Sequence, residues 1–259
     1  SAPTAAAPAP APAVTPAPSP TPAPALVVAT VPGMPPVVDA RNVYSETGSD
    51  KVSPSVRGDL ERVYVPNLQS NDVYVIDPAT LKVVDRFKVG IGPQHIVPSW
   101  DLRTLWVTNN AERRTDGSLT PIDPRTGKPG KSIPVDDPYN MYFSPDGKSA
   151  IVVAEARKRL DFRDPQTMAE QYSIQVPGCP GVNHADFSID GRYAIFTCEY
   201  SGTLAKIDLV ERKVLGYLKL KMPATRFKEP GPLPAGKVWE PGETEVCSVT
   251  KGMPQDIRI

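Results

Sequence analysis

The sequence repeats a tight-turn motif at a nearly constant interval, and this repeat constrains the fold more than any other feature. The motif reads SWDL, SPDG and SIDG, and its aspartates, Asp101, Asp146 and Asp190, are 45 and 44 residues apart. A second marker, an aspartate that ends a β-like stretch, recurs at intervals of 46, 41 and 44 residues, at Asp77, Asp123, Asp164 and Asp208. Two markers with one period indicate repeated supersecondary units, and this length is typical of a four-stranded propeller blade.

Turn residues divide one repeat unit into four strands. Segments rich in β-branched and aromatic residues lie at 183–188, 192–199, 203–208 and 213–220, and Gly, Asp or Ser occurs at most of the joins. Such residues favour strands and tight turns respectively. The first recognisable blade begins with a second strand near 62–66, and a last inner strand is expected at 254–259. The sequence therefore predicts an all-β propeller of four-stranded blades.

The N-terminal part of the chain differs in composition from the rest. Residues 1–24 are almost only Pro, Ala, Ser and Thr, and the first charged residue is Asp39. Such a stretch cannot bury a core and is expected to be an extended spacer. We predict a disordered Pro/Ala-rich linker over 1–38 and a propeller over 39–259, with about four blades plus the first strand of a fifth. The spacer favours an extracytoplasmic protein that is secreted, held in the cell wall or lipid-anchored upstream of this chain. A linker inside a larger cytoplasmic protein is the alternative.

The balance of charge limits the classes of partner. The chain has 29 basic and 29 acidic residues, and it carries no basic tail. Binding dominated by non-specific contact with nucleic acid is therefore disfavoured. No apolar run has the length of a membrane span. A protein or small-molecule ligand is the expected partner.

Three segments resemble a known family. RVYVPNLQSNDVYVID, TLWVTNN and SPDGKSAIVV are similar to the YVTN-type repeats of the YncE-like β-propellers, and the resemblance extends over about 52–259. It implies a propeller, usually of seven blades. The wider family includes surface-layer proteins, a periplasmic protein with DNA binding and, more distantly, lactonases and haem or quinone oxidoreductase domains. The motifs are specific for the fold and weak for the activity.

The number of blades is open at this stage. GMPQDIRI at the end of the chain repeats the frame of GPQHIVPS (92–99), but no SPDG turn follows it. We expect a seven-bladed ring that is truncated at the C-terminus, because the sequence stops within a motif. The alternative is that the last strand completes the first blade and closes a four-bladed ring, which would remove exposed sheet edges.

One position of the repeat carries polar residues that change from blade to blade. Alignment of the units places His95, Asn140, His184 and Asp256 at this slot, and the two histidines of the chain both occur there. The slot begins the inner strand, so it is expected at the mouth of the central channel. A small-ligand site is predicted, as is a metal site formed by His95, His184 and Asp256. The alternative is that these side chains are simply hydrated. The two histidines belong to blades that are not adjacent, so they need a further ligand to hold one metal ion.

The cysteines suggest a disulfide. Cys198 ends a second strand opposite Val182, and Cys179 is a short loop away from that pair. An exported protein would join Cys179 to Cys198, with Cys179–Cys247 as the alternative pairing. The third cysteine is then a free thiol or a metal ligand, and three free thiols are the remaining alternative.

The function expected from these features is binding or scaffolding. The loop rim and the central channel of an extracytoplasmic propeller would hold the partner, and no catalytic residue is assigned. One alternative is a metal- or cofactor-dependent redox or lactonase-like enzyme with its site at the channel mouth. A DNA-binding propeller is the second alternative. Any cofactor is unknown, apart from a metal ion that the slot could hold.

Overall fold

The computed structural model describes residues 26–112, 114–220 and 257. Asp256 and Cys247 lie outside the described residues. Within them, antiparallel strands form four sheets, and the only helices are two 3₁₀ turns, Pro54–Val56 and Glu199–Ser201. The predicted all-β fold with four-stranded propeller blades is confirmed. Among the described residues, no helix has the length and apolarity needed to cross a membrane.

Each sheet is one blade, and the blades follow one another along the chain. The first blade holds β1–β3, the second β4–β8, the third β9–β12 and the fourth β13–β16. The strands are β1 Val63–Asn67, β2 Asp72–Asp77, β3 Lys82–Lys88, β4 Pro93–Pro98, β5 Leu105–Asn109, β6 Ser118–Asp123, β7 Lys128–Pro129, β8 Ile133–Pro134, β9 Pro138–Phe143, β10 Ala150–Ala154, β11 Arg159–Arg163, β12 Glu170–Gln175, β13 Val182–Phe187, β14 Tyr193–Cys198, β15 Thr203–Asp208 and β16 Lys213–Lys219.

Within the described residues the first blade has three strands, and none of the described strands precedes β1 in its sheet. Its order is β1-β2-β3, whereas the fourth blade runs β13-β14-β15-β16 from the inner strand to the outer one. The prediction that the first recognisable blade begins with a second strand agrees with this order. Seven blades and truncation at the C-terminus stay predictions.

The second blade departs from four regular strands at its outer edge. Two short strands, β7 and β8, both pair with β6 in place of one continuous strand. Pro129 and Pro134 end these short strands, opposite Ile122 and Ser118 of β6. Proline has no backbone N–H to donate, so a continuous ladder cannot form along this edge.

The repeated turn has the same hydrogen bonds in three blades. The hydroxyl of Ser144 donates to Asp146 Oδ1 at 2.7 Å and accepts the backbone N–H of Ser149 at 3.0 Å. Ser99 makes the same pair of bonds in the second blade, and Ser188 makes it in the fourth. The SxD motif therefore fixes the hairpin that joins the inner strand to the second strand.

The largest hydrophobic core lies between the third and fourth blades. Phe162 and Leu160 of β11 pack with Phe196 of β14 and Ile207 of β15, and each of these four side chains is almost fully buried. Tyr142 of β9 contacts Phe196 edge to face, with ring centroids 6.2 Å apart. Packing between blade faces, rather than within one sheet, therefore holds neighbouring blades together.

Residues 31–46, here called the N-terminal strap, cross the turn end of the blades. Val31 donates its N–H to the carbonyl of Asp190 at 2.9 Å, and Lys148 donates to the carbonyl of Pro32 at 2.8 Å. The Tyr44 hydroxyl donates to Asp186 Oδ2 at 2.5 Å. The strap thus contacts both the third and the fourth blade. The predicted boundary between linker and propeller at residue 38 stays a prediction.

Candidate functional site

The polar slot occupies one structural position in three blades. His95 is the third residue of β4, Asn140 the third of β9 and His184 the third of β13. Their spacings of 45 and 44 residues therefore place all three at the same depth of the inner strand. Asp256, the fourth predicted member, lies outside the described residues.

Each inner strand carries a one-residue bulge beside the slot. Pro93 pairs with Asn109 and His95 with Thr108, so Gln94 has no partner of its own. The register shifts in the same way beside Tyr139 in β9 and between Val182 and Ala185 in β13. A bulge breaks the alternation of side chains and redirects one of them. Two consecutive residues of each inner strand are thereby brought to the mouth of the channel.

Threonine hydroxyls stabilise two of the bulges. The backbone N–H of His95 donates to Thr108 Oγ1 at 3.1 Å, and that of His184 donates to Thr197 Oγ1 at 3.0 Å. Both threonines are fully buried. Val153 takes the equivalent place in the third blade. The hydroxyls satisfy N–H groups that the bulge removes from the ladder.

The slot side chains of the three blades meet. The His95 and His184 rings lie edge to face with centroids 5.3 Å apart. Asn140 Nδ2 lies 3.2 Å from His184 Nδ1, which is also 3.2 Å from the Tyr142 hydroxyl. The two histidines belong to the second and fourth blades, with a whole blade between them. The structure brings their rings into contact, with Asn140 of the intervening blade bonded to His184.

A backbone carbonyl holds the His95 ring in place. His95 Nδ1 lies 2.9 Å from the carbonyl oxygen of Tyr139, which also accepts a hydrogen bond from Thr108 Oγ1 at 2.9 Å. Since a carbonyl only accepts, His95 carries its proton on Nδ1. Burial lowers the pKa of His95 from its usual value, and the bond to Tyr139 opposes this effect in part. His95 is therefore expected to be neutral near pH 7.

A metal centre is not assembled by the described part of the chain. It contains no group of three or more His, Cys, Asp or Glu side chains placed to hold a metal ion. The predicted metal site of His95, His184 and Asp256 depends on Asp256, so it stays a prediction.

A second set of polar side chains borders the slot. Glu155 follows β10 and Glu199 follows β14, so both leave the second strand of a blade at the same end. Asn183, next to His184, donates from Nδ2 to Glu199 Oε2 at 2.7 Å and is fully buried. Tyr200 lies over Gly181, where an added Cβ would meet its ring at 2.7 Å. We call Glu155, Glu199, Asn183, Tyr139 and Tyr200 the rim cluster.

The pKa values of two residues in the rim cluster, Glu155 and Tyr200, are raised. Burial raises the pKa of Glu155 to about 7; the negative charges of Glu199, Asp137 and Glu112 act in the same direction, and a hydrogen bond from Tyr200 opposes them. Burial and the Glu155 charge also raise the pKa of Tyr200. Near pH 7, Glu155 is thus divided between its neutral and charged forms, as at sites where a carboxyl exchanges protons or binds a charged group.

Sequence reasoning missed the rim cluster. One signal was present: Glu155 and Glu199 are 44 residues apart, and so are Tyr139 and Asn183. Tyr139 and Asn183 lie one position before the slot residues, and Glu155 and Glu199 directly follow the second strand of their blades. Both pairs therefore repeat with the period of the slot. The bulge that turns Tyr139 and Asn183 toward the mouth leaves no mark in the period, so the alignment alone did not single them out.

The structure contains a disulfide between Cys179 and Cys198, with the Cα atoms 4.8 Å apart. Val182 pairs with Cys198 as expected, and both sulfur-bearing residues are fully buried. The bond ties the loop that enters β13 to the end of β14, next to Glu199 of the rim cluster. The alternative partner, Cys247, is outside the described residues.

Comparison with known proteins supports the fold and leaves the activity open. No protein-family model matches the sequence. No curated protein matches it either. Kuenenia stuttgartiensis hydrazine synthase matches with a TM-score of 0.53 and 24% identity, over 63% of this chain and 47% of that one.

Two further solved structures match more weakly. Dihydro-heme d1 dehydrogenase NirN in complex with DHE has a TM-score of 0.48 and 21% identity, over 62% of this chain and 35% of that one. A functionally unknown protein from Desulfotomaculum acetoxidans DSM 771 has a TM-score of 0.49 and 13% identity, over 62% of this chain and 53% of that one. The chain thus spans about half or less of these proteins. The similarity to hydrazine synthase, at this identity, supports the propeller fold alone.

Proposed function

We propose that this chain is an extracytoplasmic, YncE-like β-propeller that binds a small molecule or a protein segment at its channel mouth. One observation carries the proposal: the slot side chains of three blades converge, with the His95 and His184 rings 5.3 Å apart and Asn140 bonded to His184. Convergent polar groups at the mouth of a ring of sheets are the usual form of a ligand site in such folds.

The buried disulfide supports the proposed location. Disulfides persist in oxidising compartments and are rare in the cytosol, where thiols are kept reduced. Cys179 and Cys198 are both fully buried and joined. The Pro/Ala-rich sequence of residues 1–24 also suits a spacer between an anchor and a folded domain.

Binding suits the His95 environment better than catalysis does. A catalytic imidazole commonly pairs with a nucleophile, and a carboxylate often orients it. His95 is instead oriented by the carbonyl of Tyr139 and packs against the Tyr139 ring, with centroids 5.1 Å apart. Such a ring presents a fixed surface to a ligand.

The two histidines offer a direct test, because the chain has no others and both lie in the slot. Imidazole proton signals in NMR therefore report on this site alone. The full chain is titrated with Zn²⁺, haem, a simple lactone, an alkylammonium salt and a DNA duplex. We expect a ligand that shifts both signals and whose binding is lost in His95→Ala/His184→Ala.

The same titrations separate the alternative functions. A lactonase-like enzyme would hydrolyse the lactone and lose that activity in the double variant. A redox enzyme would bind haem or a metal in stoichiometric amount. A DNA-binding propeller would bind the duplex with an affinity that falls steeply as salt rises.

A further inference from the structure

A groove with a volume of about 530 Å³ lies between the third and fourth blades, at the end of the blades where the tight turns are. Residues of the turn at 144–149 and of β11 and β12 line it from the third blade, and residues of the turn at 209–212 line it from the fourth. Residues 31–32 of the N-terminal strap border it as well. Gly191, which also lines the groove, follows the end of β13, whereas the slot residue His184 is near the start of that strand. The groove is therefore a different place from the channel mouth.

Arg212 is held at the wall of this groove by an aromatic stack. Its guanidinium carbon lies 4.0 Å from the centroid of the Tyr172 ring. That ring is itself stacked on Phe162, with centroids 4.4 Å apart and planes 10° from parallel. Within the described residues, the Arg212 guanidinium forms no hydrogen bond and no ion pair. Its N–H groups are thus positioned, but not committed to an acceptor of the protein.

Two other arginines among the described residues stack on tyrosine rings, and each of them has a carboxylate partner. Arg86 donates from Nε to Asp72 at 2.8 Å, and Arg192 donates to Asp208 at 3.0 Å. Both aspartates are buried. Arg212 is the stacked arginine for which the described part of the chain supplies no carboxylate. A ligand that brings a carboxylate would complete the same arrangement.

The other charges that line the groove offset one another. Lys148 Nζ lies 3.2 Å from Asp146 Oδ2 and donates to the carbonyl of Pro32 at 2.8 Å. Of the described charged residues that line the groove, only Arg212 remains, so the groove carries one net positive charge. A ligand with a single negative charge balances it.

Apolar side chains from three parts of the fold line the same groove. Val31 comes from the N-terminal strap, Pro145 from the third blade, and Leu209 and Val210 from the fourth. Val210 is 55% exposed, so covering it removes apolar surface from water. Apolar walls with a few placed polar groups are the common form of a small-molecule site.

We propose that this groove binds a small organic carboxylate. The Arg212 guanidinium donates two parallel hydrogen bonds to the carboxylate, and the apolar wall contacts the carbon skeleton of the ligand. Inorganic phosphate fits less well, because it has no carbon skeleton and carries more than one charge near pH 7. The inference goes beyond the proposed function and does not depend on it, because it assigns a second site away from the channel mouth.

Calorimetric titration of the full chain at pH 7 with sodium phenylacetate tests the site. Phenylacetamide is the uncharged analogue of the same shape, and phenethylammonium is a cation of similar size. We expect saturable binding of phenylacetate. Phenylacetamide is expected to bind at least about tenfold more weakly, because its hydrogen bonds with Arg212 lack the second charge. No binding of phenethylammonium or of inorganic phosphate is expected at the same concentrations.

Substitution of Arg212 separates its charge from its shape. Arg212→Gln removes the charge and is expected to weaken phenylacetate about tenfold or more. Arg212→Lys keeps the charge without the planar fork, so an intermediate affinity is expected. Arg103→Gln removes an exposed arginine from a turn of the second blade and is the matched control, with unchanged affinity. Arg212 is exposed, so all three variants are expected to stay folded, and their thermal unfolding checks this.

Three results would overturn the proposal: no binding of phenylacetate, equal binding of phenylacetate and phenylacetamide, or equal affinity for phenylacetate in Arg212→Gln and the wild type. The histidine variant then locates the ligand. Phenylacetate is expected to bind His95→Ala/His184→Ala as it binds the wild type and to leave both histidine signals unchanged. Binding that is lost in this double variant and kept in Arg212→Gln would place phenylacetate at the channel mouth, which supports the proposed function and contradicts the groove site.

Discussion

The imidazole rings of His95 and His184 meet edge to face, with centroids 5.3 Å apart, although they belong to the second and fourth blades. The third blade contributes Asn140 between them, bonded to His184 at 3.2 Å. The channel mouth is therefore one continuous polar surface built by three repeats. Its properties depend on how the blades pack as well as on which residues occupy the slot.

Acid is expected to destabilise the protein through His95. Burial lowers the pKa of His95 in the folded state, while the unfolded chain keeps the ordinary value of about 6.5. Below that value the unfolded state binds a proton that the folded state does not, so the free energy of unfolding falls as pH drops below about 6.5. Urea unfolding at pH 5 and pH 8 measures the loss. His95→Gln should show a smaller loss than the wild type.

Glu155 is expected to affect the pH dependence of stability in the opposite direction from His95. Its pKa is about 7 in the folded state against a usual 4.5, so between these values the folded state holds the extra proton. The free energy of unfolding therefore decreases as pH rises from about 4.5 through 7. Glu155→Gln should be more stable than the wild type at pH 8 and similar to it at pH 4. An equal difference in the free energy of unfolding between Glu155→Gln and the wild type at pH 4 and pH 8 would contradict the raised pKa.

The disulfide is expected to contribute about 3 kcal/mol, from the loop that it closes in the unfolded chain. Cys179 and Cys198 are 19 residues apart in sequence. Cys179→Ala/Cys198→Ala should lower the free energy of unfolding by this amount in denaturant. Adding dithiothreitol to the unfolded wild type should give the same loss. Peptide mapping that joins Cys179 to Cys247 would show the alternative pairing to be the true one.

Packing between blades is expected to dominate stability. Phe196 is fully buried in the core shared by the third and fourth blades. Phe196→Ala should cost about 3–5 kcal/mol, through lost burial and the cavity that remains. Leu218→Ala removes a side chain that is 62% exposed on β16 and should change stability by less than about 0.5 kcal/mol. Equal effects of the two variants in denaturant unfolding would contradict this account of the core.

The N-terminal strap is expected to stabilise the third and fourth blades. A chain that begins at residue 39 loses the bonds from Val31 to Asp190 and from Lys148 to Pro32. Each bond contributes about 1 kcal/mol, so we expect a loss of about 2 kcal/mol. A chain that begins at residue 26 is the control and should match the full chain. Equal melting of both truncated chains would support the predicted linker boundary at residue 38.

The fold was predictable because its information is local and repeated. The SxD turns, the aspartates at the ends of β2, β6, β11 and β15, and the β-branched runs each mark strand ends within a few residues. The outer edge of the second blade is split because Pro129 and Pro134 have no backbone N–H to donate. The repeat period alone did not predict this split, because it reports the spacing of the blades and not the hydrogen bonds within one.

The candidate site was predictable only in part. The alignment placed His95, Asn140 and His184 in one slot, because equal spacing puts them at equal depth. Their contact was not predictable, because it depends on the angle between blades. The rim cluster depends on a bulge at Tyr139 and Asn183, which changes side-chain direction without changing the period. The raised pKa of Glu155 depends on burial, which no linear pattern reports.

We propose that the channel mouth is a ligand-binding site formed by three blades. The most direct test follows the imidazole proton signals of the two histidines by NMR while ligands are added to the full chain. We expect a ligand that shifts both signals together in the wild-type chain. The same ligand should not bind His95→Ala/His184→Ala. A ligand that binds the wild-type chain and leaves both signals unchanged would contradict it.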